Sequence, residues 1–243
     1  MSAITPLDRA LAALTHRASD RAPIIINPNM HGAKELGLSL EDYYARAENV
    51  IEGQIRLRAR FGHDCLVPFF YSGLEAEAFG IEIAFSTDGP AVTGAPVLRT
   101  PADIDGLRPP SMDHPRLQEA LAATRGLAKH AAGRVPVLGT AISPFSLPVL
   151  LMGYEPYLVL MHEQRADFWQ LMDVTTQFAI SWANAQLAAG ATSITYVDPL
   201  ASPDLTPAAL FELTALPIAC EAIAAINGPC VYHLASGRIG DRL

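Results

Sequence analysis

Five short apolar segments recur along the chain, and a stretch with helical periodicity follows each of the first four. The segments are residues 23–27, 63–70, 135–141, 193–197 and 229–233. Strands separated by helices pair in parallel, with right-handed crossovers and with their connecting loops along one edge. The order therefore predicts an α/β protein, with a (β/α)8 TIM-type barrel as the leading architecture. Because a closed barrel of this type needs about eight units, the five segments predict an incomplete barrel, in a single domain over residues 1–243.

The helical segments are predicted from the spacing of apolar residues and from capping patterns. They are residues 6–18, 39–62, 74–79, 114–130, 147–161, 164–189 and 206–226. In the last of these, Thr206 is predicted to cap the helix and Pro207 to occupy its first turn. Residues 81–98 alternate in polarity around Asp88-Gly89-Pro90, which predicts a hairpin-like arm rather than another strand–helix unit.

The composition excludes several classes of protein. Half of the residues are hydrophobic and 17% are charged, which is typical of a globular chain. The net charge is −8 and the arginines are scattered, so we expect no nucleic-acid partner. The longest apolar run, residues 147–152, is too short to span a bilayer, so we expect no membrane partner. The first residues lack the pattern of a signal peptide, and the expected location is the cytoplasm.

Cysteine and tryptophan positions give further expectations. Cys65, Cys220 and Cys230 lie among apolar residues and form no C-x-x-C pair, which predicts buried, reduced thiols rather than a disulfide framework. Trp169 and Trp182 lie on one predicted helix and are most simply part of the core.

The stretch at residues 190–205, GATSITYVDPLASPDL, reads as a buried strand that ends at Asp198-Pro199. In parallel α/β proteins, ligands are met at the carboxyl ends of strands. Asp198 is therefore a candidate site residue, and its alternative role is to cap the turn before Pro199. His233 ends the fifth segment and points either at the mouth of a barrel or into the core.

Three more candidates follow predicted strands or lie at their ends. Tyr71 and Tyr196 could line a cofactor cavity, although aromatic residues at strand ends more often serve packing. Ser143, with Ser146 in the motif SPFSL, follows the third strand. Because no G-x-S-x-G motif surrounds these serines, turn and cap hydroxyls are their default role.

Four stretches of the sequence resemble a known superfamily. They are GLSLEDYYARAENVIEGQ, FGHDCLVPFFYSGLEAEAFGIEI, TAISPFSLPVLLMG and AGATSITYVDPLASPDL. Together they resemble the uroporphyrinogen decarboxylase superfamily, and within it the branch of methylcobamide:coenzyme M methyltransferases. The resemblance covers residues 24–237 and implies a (β/α)8 barrel. Because members of the superfamily are longer, it also implies that this chain lacks the last strands of the family fold.

Two chemistries share this family fold, and the resemblance favours one of them. Decarboxylases carry an arginine-rich segment after the first strand, whereas this chain reads NPNMHGAKELG there, which disfavours decarboxylation of a polycarboxylate. The methyltransferases bind zinc through a His-x-Cys pair, and here His233 matches the histidine while Ala235 replaces the cysteine. The resemblance thus implies methyl transfer between a corrinoid, carried by a partner protein, and a small-molecule acceptor such as a thiol.

The resemblance also assigns roles to individual residues. It places His233 and Asp198 at the reaction centre, with His31 and Glu75 lining the cavity. Zinc would have His233 as one ligand and a carboxylate of Asp198, Glu75 or Glu77 as another. A solvated loop histidine is the alternative for His31. Two alternative functions stay open: a uroporphyrinogen decarboxylase-type lyase of porphyrin biosynthesis, and a non-catalytic relative that binds a corrinoid or tetrapyrrole and has lost the metal.

Overall fold

The structure, a computed structural model, describes residues 4–86, 89–163, 165–235 and 237. Its α-helices are α1 (Pro6–Leu14), α2 (His31–Leu36), α3 (Leu40–Ala45), α4 (Ala47–Phe61), α5 (Leu74–Ala78), α6 (Pro115–Ala131), α7 (Pro148–Met152), α8 (Tyr154–Glu163), α9 (Arg165–Ala188), α10 (Ala208–Leu213) and α11 (Ala215–Ala224). Its strands are β1 (Ile83–Ala84), β2 (Val92–Thr93), β3 (Leu138–Ile142), β4 (Ser193–Val197) and β5 (Cys230–His233). Among these helices none is both long and apolar enough to cross a membrane.

A parallel sheet in the order β3-β4-β5 forms the centre of the molecule. An isolated parallel bridge between Leu66 and Val137 adds the second apolar segment, residues 63–70, to the sheet beside β3. The N–H of Asp64 donates to the carbonyl of Ile24 at 2.8 Å, which aligns the first apolar segment beside the second. The five segments therefore lie side by side in chain order. The α/β class and the open arc of a barrel are confirmed.

The first two apolar segments do not form regular strands, so their prediction as strands is wrong. Proline has no N–H to donate to a strand ladder; Pro23 begins the first segment, Pro28 follows it, and Pro68 interrupts the second. The segments are held instead by single hydrogen bonds, such as that from Leu66 N–H to the carbonyl of Pro136 at 2.9 Å. Ile25 and Ile26 of the first segment are 47% and 37% exposed because they face a cavity rather than the core.

Three predicted long helices are divided in the structure. Arg46, with φ −139° and ψ 136°, separates α3 from α4. Gly153, with φ 90°, separates α7 from α8, and Thr214 separates α10 from α11. The predicted cap at Thr206 is also wrong, because its hydroxyl donates to the carbonyl of Leu200 at 2.6 Å while α10 begins two residues later.

The arm at residues 81–98 is confirmed as a hairpin. The strands β1 and β2 pair antiparallel, with Ile83 opposite Thr93 and Ala84 opposite Val92. Asp88 of the predicted turn lies outside the described residues.

The core lies between the sheet and the helices on its outer face. Gln186 of α9 anchors β3 there: its amide donates to the carbonyl of Thr140 and its oxygen accepts from the N–H of the same residue, both at 2.9 Å. Gly139 leaves room for this approach, since a Cβ there would lie 2.9 Å from the Gln186 oxygen. Trp182 is buried as expected. The expectation of burial is wrong for Trp169, which is 36% exposed on the solvent side of its helix.

The three cysteines differ in exposure. Cys65 is buried and Cys230 is half-buried, whereas Cys220 is exposed. Burial raises the pKa of the Cys65 thiol to about 11, as expected for an unreactive core cysteine. The prediction that all three are buried is wrong for Cys220, which lies on the outer side of α11.

Candidate functional site

A cavity of about 960 Å³ lies against the inner face of the sheet. Side chains on a strand alternate between its two faces, and alternate residues of each strand line the cavity. They are Leu138, Thr140 and Ile142 of β3, Ser193, Thr195 and Val197 of β4, and Val231 and His233 of β5. The parallel register sets these side chains in rows, with Thr140 beside Thr195 and Ile142 beside Val197. The cavity is therefore the interior of the open barrel.

The two ends of the cavity differ in character. At the amino ends of the strands it is closed by α1, through Ala10, Ala13 and Leu14. At the carboxyl ends it is bordered by loops that contribute Ser72, Ser146 and other residues, beside His233. The carboxyl end of a barrel is where loops from several strands converge on a ligand, so this end is the candidate reaction site.

The cavity carries no strong charge. Of the described residues that line it, none is Arg, Lys, Asp or Glu. The polar side chains are hydroxyls, the amides of Asn27 and Asn29, and the imidazole of His233. The site therefore offers hydrogen bonds to a ligand but no counter-charge for a carboxylate, phosphate or sulfonate.

His233 reaches the cavity from the end of β5 and is exposed. Its Nδ1 accepts a hydrogen bond from the N–H of Ala235 at 3.0 Å, because the chain turns back after β5 through a left-handed residue, Ala235 (φ 52°). A neutral imidazole that accepts at Nδ1 carries its proton on Nε2. His233 can therefore donate a hydrogen bond from Nε2.

Asp198 lies behind the cavity wall and does not line it. The side chain is fully buried, and its two oxygens accept from the hydroxyls of Ser146 at 2.6 Å and Tyr232 at 2.9 Å. Burial raises the pKa of Asp198, while the donated hydrogen bonds, including one from Ser143, oppose that change. Asp198 also donates its backbone N–H to the carbonyl of His233 at 2.8 Å. Asp198 therefore connects the end of β4 with the loop after β3 and with the end of β5.

Ser146, which the sequence analysis named with Ser143 in the motif SPFSL, is the serine of this pair that lines the cavity. Its hydroxyl donates to Asp198 and accepts from the N–H of Leu200 at 3.1 Å. Ser143, which the sequence favoured, is fully buried and instead accepts from the N–H of Ser146 at 2.9 Å. The spacing of the two serines was the available signal. Because they lie three residues apart in one turn after a strand, only one of them can face the cavity.

The two candidate tyrosines do not line the cavity. Tyr196 is fully buried on the helix side of β4, stacked on Tyr232 with ring centroids 5.7 Å apart, because it alternates with Thr195 and Val197. Tyr71 is buried beside Tyr44, and its hydroxyl donates to Glu77. The expectation that these rings face a cofactor is corrected: both pack against helices.

Glu75 and His31 also lie away from the cavity. Glu75 is buried on the outer side of β3, where it accepts from the N–H of Ile142 at 2.9 Å. Burial raises the pKa of Glu75 to about 7. His31 is exposed at the start of α2 and borders a separate shallow pocket with Lys34, Glu35 and the end of α4. Of the seven candidates, only His233 lines the cavity.

The described residues do not fit a zinc ion. No group of three or more His, Cys, Asp or Glu side chains able to hold a metal occurs among them. A catalytic zinc site needs about three protein ligands, but the side chain of Ala235 has no ligand atom and Asp198 is engaged by two hydroxyls. In addition, the hydrogen bond at Nδ1 leaves the proton of a neutral His233 on Nε2, where a metal would need a lone pair.

Comparisons with known proteins agree on one family. A family model for uroporphyrinogen decarboxylase (URO-D) matches residues 5–239. A methylcobamide:CoM methyltransferase, MtaA of Methanosarcina barkeri, is 28% identical over 249 residues, which cover 96% of this chain and 70% of that protein. A uroporphyrinogen decarboxylase of Hydrogenovibrio crunogenus is 24% identical over 204 residues, which cover 79% of this chain and 57% of that one.

A solved structure supports the fold. The structure of a methyltransferase from Methanosarcina mazei superposes with a TM-score of 0.86 at 20% sequence identity, covering 96% of this chain and 71% of that one. The arc of parallel strands and outer helices described above is thus the arrangement found in that structure.

Proposed function

Because the chain belongs to the uroporphyrinogen decarboxylase (URO-D) family, we propose that it is the methyltransferase type of member. It would move a methyl group from a methylcobamide, carried by a partner corrinoid protein, to a thiol or similar acceptor in the cavity. The observation that carries this proposal is the uncharged cavity with one imidazole, His233, at its carboxyl end. The methylcobamide:CoM methyltransferases among the relatives support the same reaction class.

The charge of the cavity disfavours decarboxylation of a porphyrinogen. Such a substrate carries many carboxylates, and each one buried without a partner would cost about 1–3 kcal/mol or more. Arginine and lysine are the side chains that neutralise carboxylates. Neither lines the cavity among the described residues.

His233 suits the activation of a thiol acceptor. A hydrogen bond from Nε2 to the acceptor sulfur stabilises the thiolate, which is the nucleophilic form. The thiolate then attacks the methyl carbon: the sulfur–carbon bond forms, the cobalt–carbon bond breaks, and its electron pair stays on cobalt. The thiol proton passes to water. We assign no zinc to this step, because the described residues do not fit one.

The assay combines the purified protein, methylcob(III)alamin and a panel of thiols, with mass spectrometry of the methyl thioether and absorbance of cob(I)alamin as readouts. Replacement His233→Ala removes one hydrogen bond to a charged sulfur, so the rate should fall roughly 10- to 100-fold. His31→Ala is the matched control, an exposed histidine outside the cavity, and should leave the rate unchanged. Turnover of uroporphyrinogen without any methyl transfer would refute the proposal.

A non-catalytic corrinoid- or tetrapyrrole-binding protein is the second candidate, because Ala235 stands where a ligand is expected. Both candidates predict zinc well below one ion per chain, so the methyl-transfer assay is what separates them. We expect methyl transfer to a thiol. Binding of methylcobalamin with no thioether product for any thiol would favour the second candidate.

A further inference from the structure

We propose that residues 4–27, here called the strap, form a lid that closes the amino end of the barrel interior and that can detach as a unit. The strap contains α1, the first apolar segment and the residues between them. Its residues Ala13 and Leu14 line the cavity at the amino ends of the strands, and Ile25 lines it farther along the chain. The latch that keeps the strap closed is the buried carboxylate of Asp64. The lid is independent of the proposed function, because it involves none of the residues assigned to the reaction.

The strap buries little apolar surface against the rest of the molecule. Of its residues, all of which the structure describes, only Ala10 and Ala12 are buried, whereas Leu14, Ile24 and Ile25 are 43–51% exposed. None of residues 4–27 belongs to the hydrophobic core that the described residues form. Hydrophobic stabilisation grows with the apolar area buried, and segments with few buried apolar contacts open locally at a low free-energy cost. The strap should therefore open while the core stays folded.

Polar contacts at Asp64 hold the strap in place. Asp64 lies in the second apolar segment, and its side chain is 2% exposed. Its carboxylate accepts from the guanidinium of Arg9 at 3.2 Å, from that of Arg21 at 2.5 and 2.9 Å, and from the N–H of Ile24 at 2.8 Å. Burial opposes ionisation, but the Arg21 guanidinium and the Ile24 N–H hold the pKa of Asp64 below its usual range. One buried charge therefore binds the strap at three points.

Contacts within the strap make it a unit. The Nε and Nη2 atoms of Arg9 donate to the two carboxylate oxygens of Asp20, both at 2.8 Å, which ties α1 to the residues that follow it. Neutral hydrogen bonds add to the latch, such as that from the N–H of Leu7 to the carbonyl of Arg134 at 3.0 Å. Charge-assisted hydrogen bonds are roughly twice as strong as neutral ones. Loss of the Asp64 contacts should therefore release both parts of the strap together.

Hydrogen exchange of the full chain, read peptide by peptide with mass spectrometry, measures the opening of the strap. In the wild type the amides of α1 should exchange faster than those of β4. Asp64→Asn removes the charge that three donors share, so exchange of the α1 amides should become roughly 10- to 100-fold faster while exchange of the β4 amides stays the same.

Two further variants keep the test sharp. Arg21→Ala removes two of the latch contacts at a side chain that is 41% exposed, so it can be made even where Asp64→Asn does not fold. It should speed exchange of the α1 amides roughly 2- to 5-fold. Glu119→Gln is the matched control: it neutralises a half-buried carboxylate that accepts from the N–H of Ala47 at 2.7 Å, and it should leave the exchange of α1 unchanged.

Cys65 gives a second readout, because its buried thiol donates to the carbonyl of Ile26 in the strap at 3.4 Å. Detachment of the strap removes this contact, so labelling of Cys65 by N-ethylmaleimide should speed up in the same variants as exchange of α1. Labelling of the exposed Cys220 should not change. Arg21→Ala keeps the Asp64 carboxylate beside Cys65, so faster labelling in this variant reports opening of the strap and not the loss of a neighbouring negative charge.

Three results would overturn the proposal. The first is exchange of the α1 amides at the same rate as the β4 amides in the wild type, because the strap would then open only when the whole domain unfolds. The second is an equal acceleration of both sets of amides in the Asp64 and Arg21 variants. The third is exchange of α1 that either stays unchanged in these variants or rises as much in Glu119→Gln.

Discussion

Glu75→Gln should stabilise the protein above neutral pH. Glu75 is 3% exposed behind β3, and its Oε1 accepts from the N–H of Ile142 at 2.9 Å. Burial raises the pKa of Glu75 from 4.5 to about 7, because the charged carboxylate loses its hydration. A glutamine keeps an oxygen acceptor for the same N–H and has no charge to bury.

The sign of the pH dependence follows from the raised pKa. Between pH 4.5 and about 7 the folded protein binds a proton that the unfolded chain releases, so the free energy of unfolding falls as pH rises through this window. At about 1.4 kcal/mol per pH unit, the buried carboxylate lowers the free energy of unfolding by about 3 kcal/mol at pH 8 and by almost nothing at pH 4.5. Glu75→Gln should therefore gain about 3 kcal/mol at pH 8 and lose this gain as the pH is lowered.

Urea unfolding at pH 5, 6.5 and 8 measures the effect for the wild type and Glu75→Gln. Glu155→Gln, at an exposed position in the first turn of α8, removes the same charge without burial and should change stability by less than about 0.5 kcal/mol at every pH. Two results would refute this explanation: a Glu75→Gln variant that is less stable than the wild type at pH 8, or a stability difference between the two proteins that does not change with pH.

Three further substitutions test the packing around the sheet. Asp198→Asn places an amide N–H₂ opposite a hydroxyl donor and should cost about 1–3 kcal/mol in urea unfolding; an unchanged midpoint would mean that the two hydroxyls do not need the carboxylate. Gly139→Ala puts a Cβ 2.8 Å from the side chain of Ile194 and should cost about 1–3 kcal/mol, whereas Gly106→Ala, with no atom within 4 Å, should be neutral; equal melting temperatures would contradict this. Tyr196→Phe removes a buried hydroxyl that has no hydrogen-bond partner and should stabilise by about 1 kcal/mol; a lower melting temperature would show that the hydroxyl is bound.

The sequence was informative about where strands end but not about which side chains face the cavity. The strand at residues 193–197 was predicted with its observed bounds, because β-branched residues and the Asp198-Pro199 break mark it clearly. Its inward side chains are Ser193, Thr195 and Val197, and its outward ones are Ile194 and Tyr196. Strands favour all of these residue types, so the alternation indicates two faces without showing which of them meets the cavity.

Two carboxylate candidates lie outside the cavity for a related reason. Asp198 was a candidate because it ends a predicted strand, and Glu75 because the resemblance placed it in the cavity. In this fold both carboxylates accept from hydrogen-bond donors at strand ends. The N–H of Ile142 has its acceptor in Glu75, and the hydroxyl of Tyr232 has its acceptor in Asp198. The need for an acceptor at each position depends on contacts between residues more than thirty positions apart. That information is absent from local sequence patterns.

The contacts of Asp198 give it a positioning role toward His233. Its carboxylate accepts from Tyr232, the residue before His233, and its backbone N–H donates to the His233 carbonyl. Both bonds hold the end of β5 close to Ser146. The Ser146 hydroxyl is bound to the other carboxylate oxygen of Asp198, and Ser146 lines the cavity. Because the imidazole is further oriented by the N–H of Ala235, its direction depends on β5 ending there. We therefore propose that the carboxylate acts on the proposed reaction by fixing where the imidazole stands.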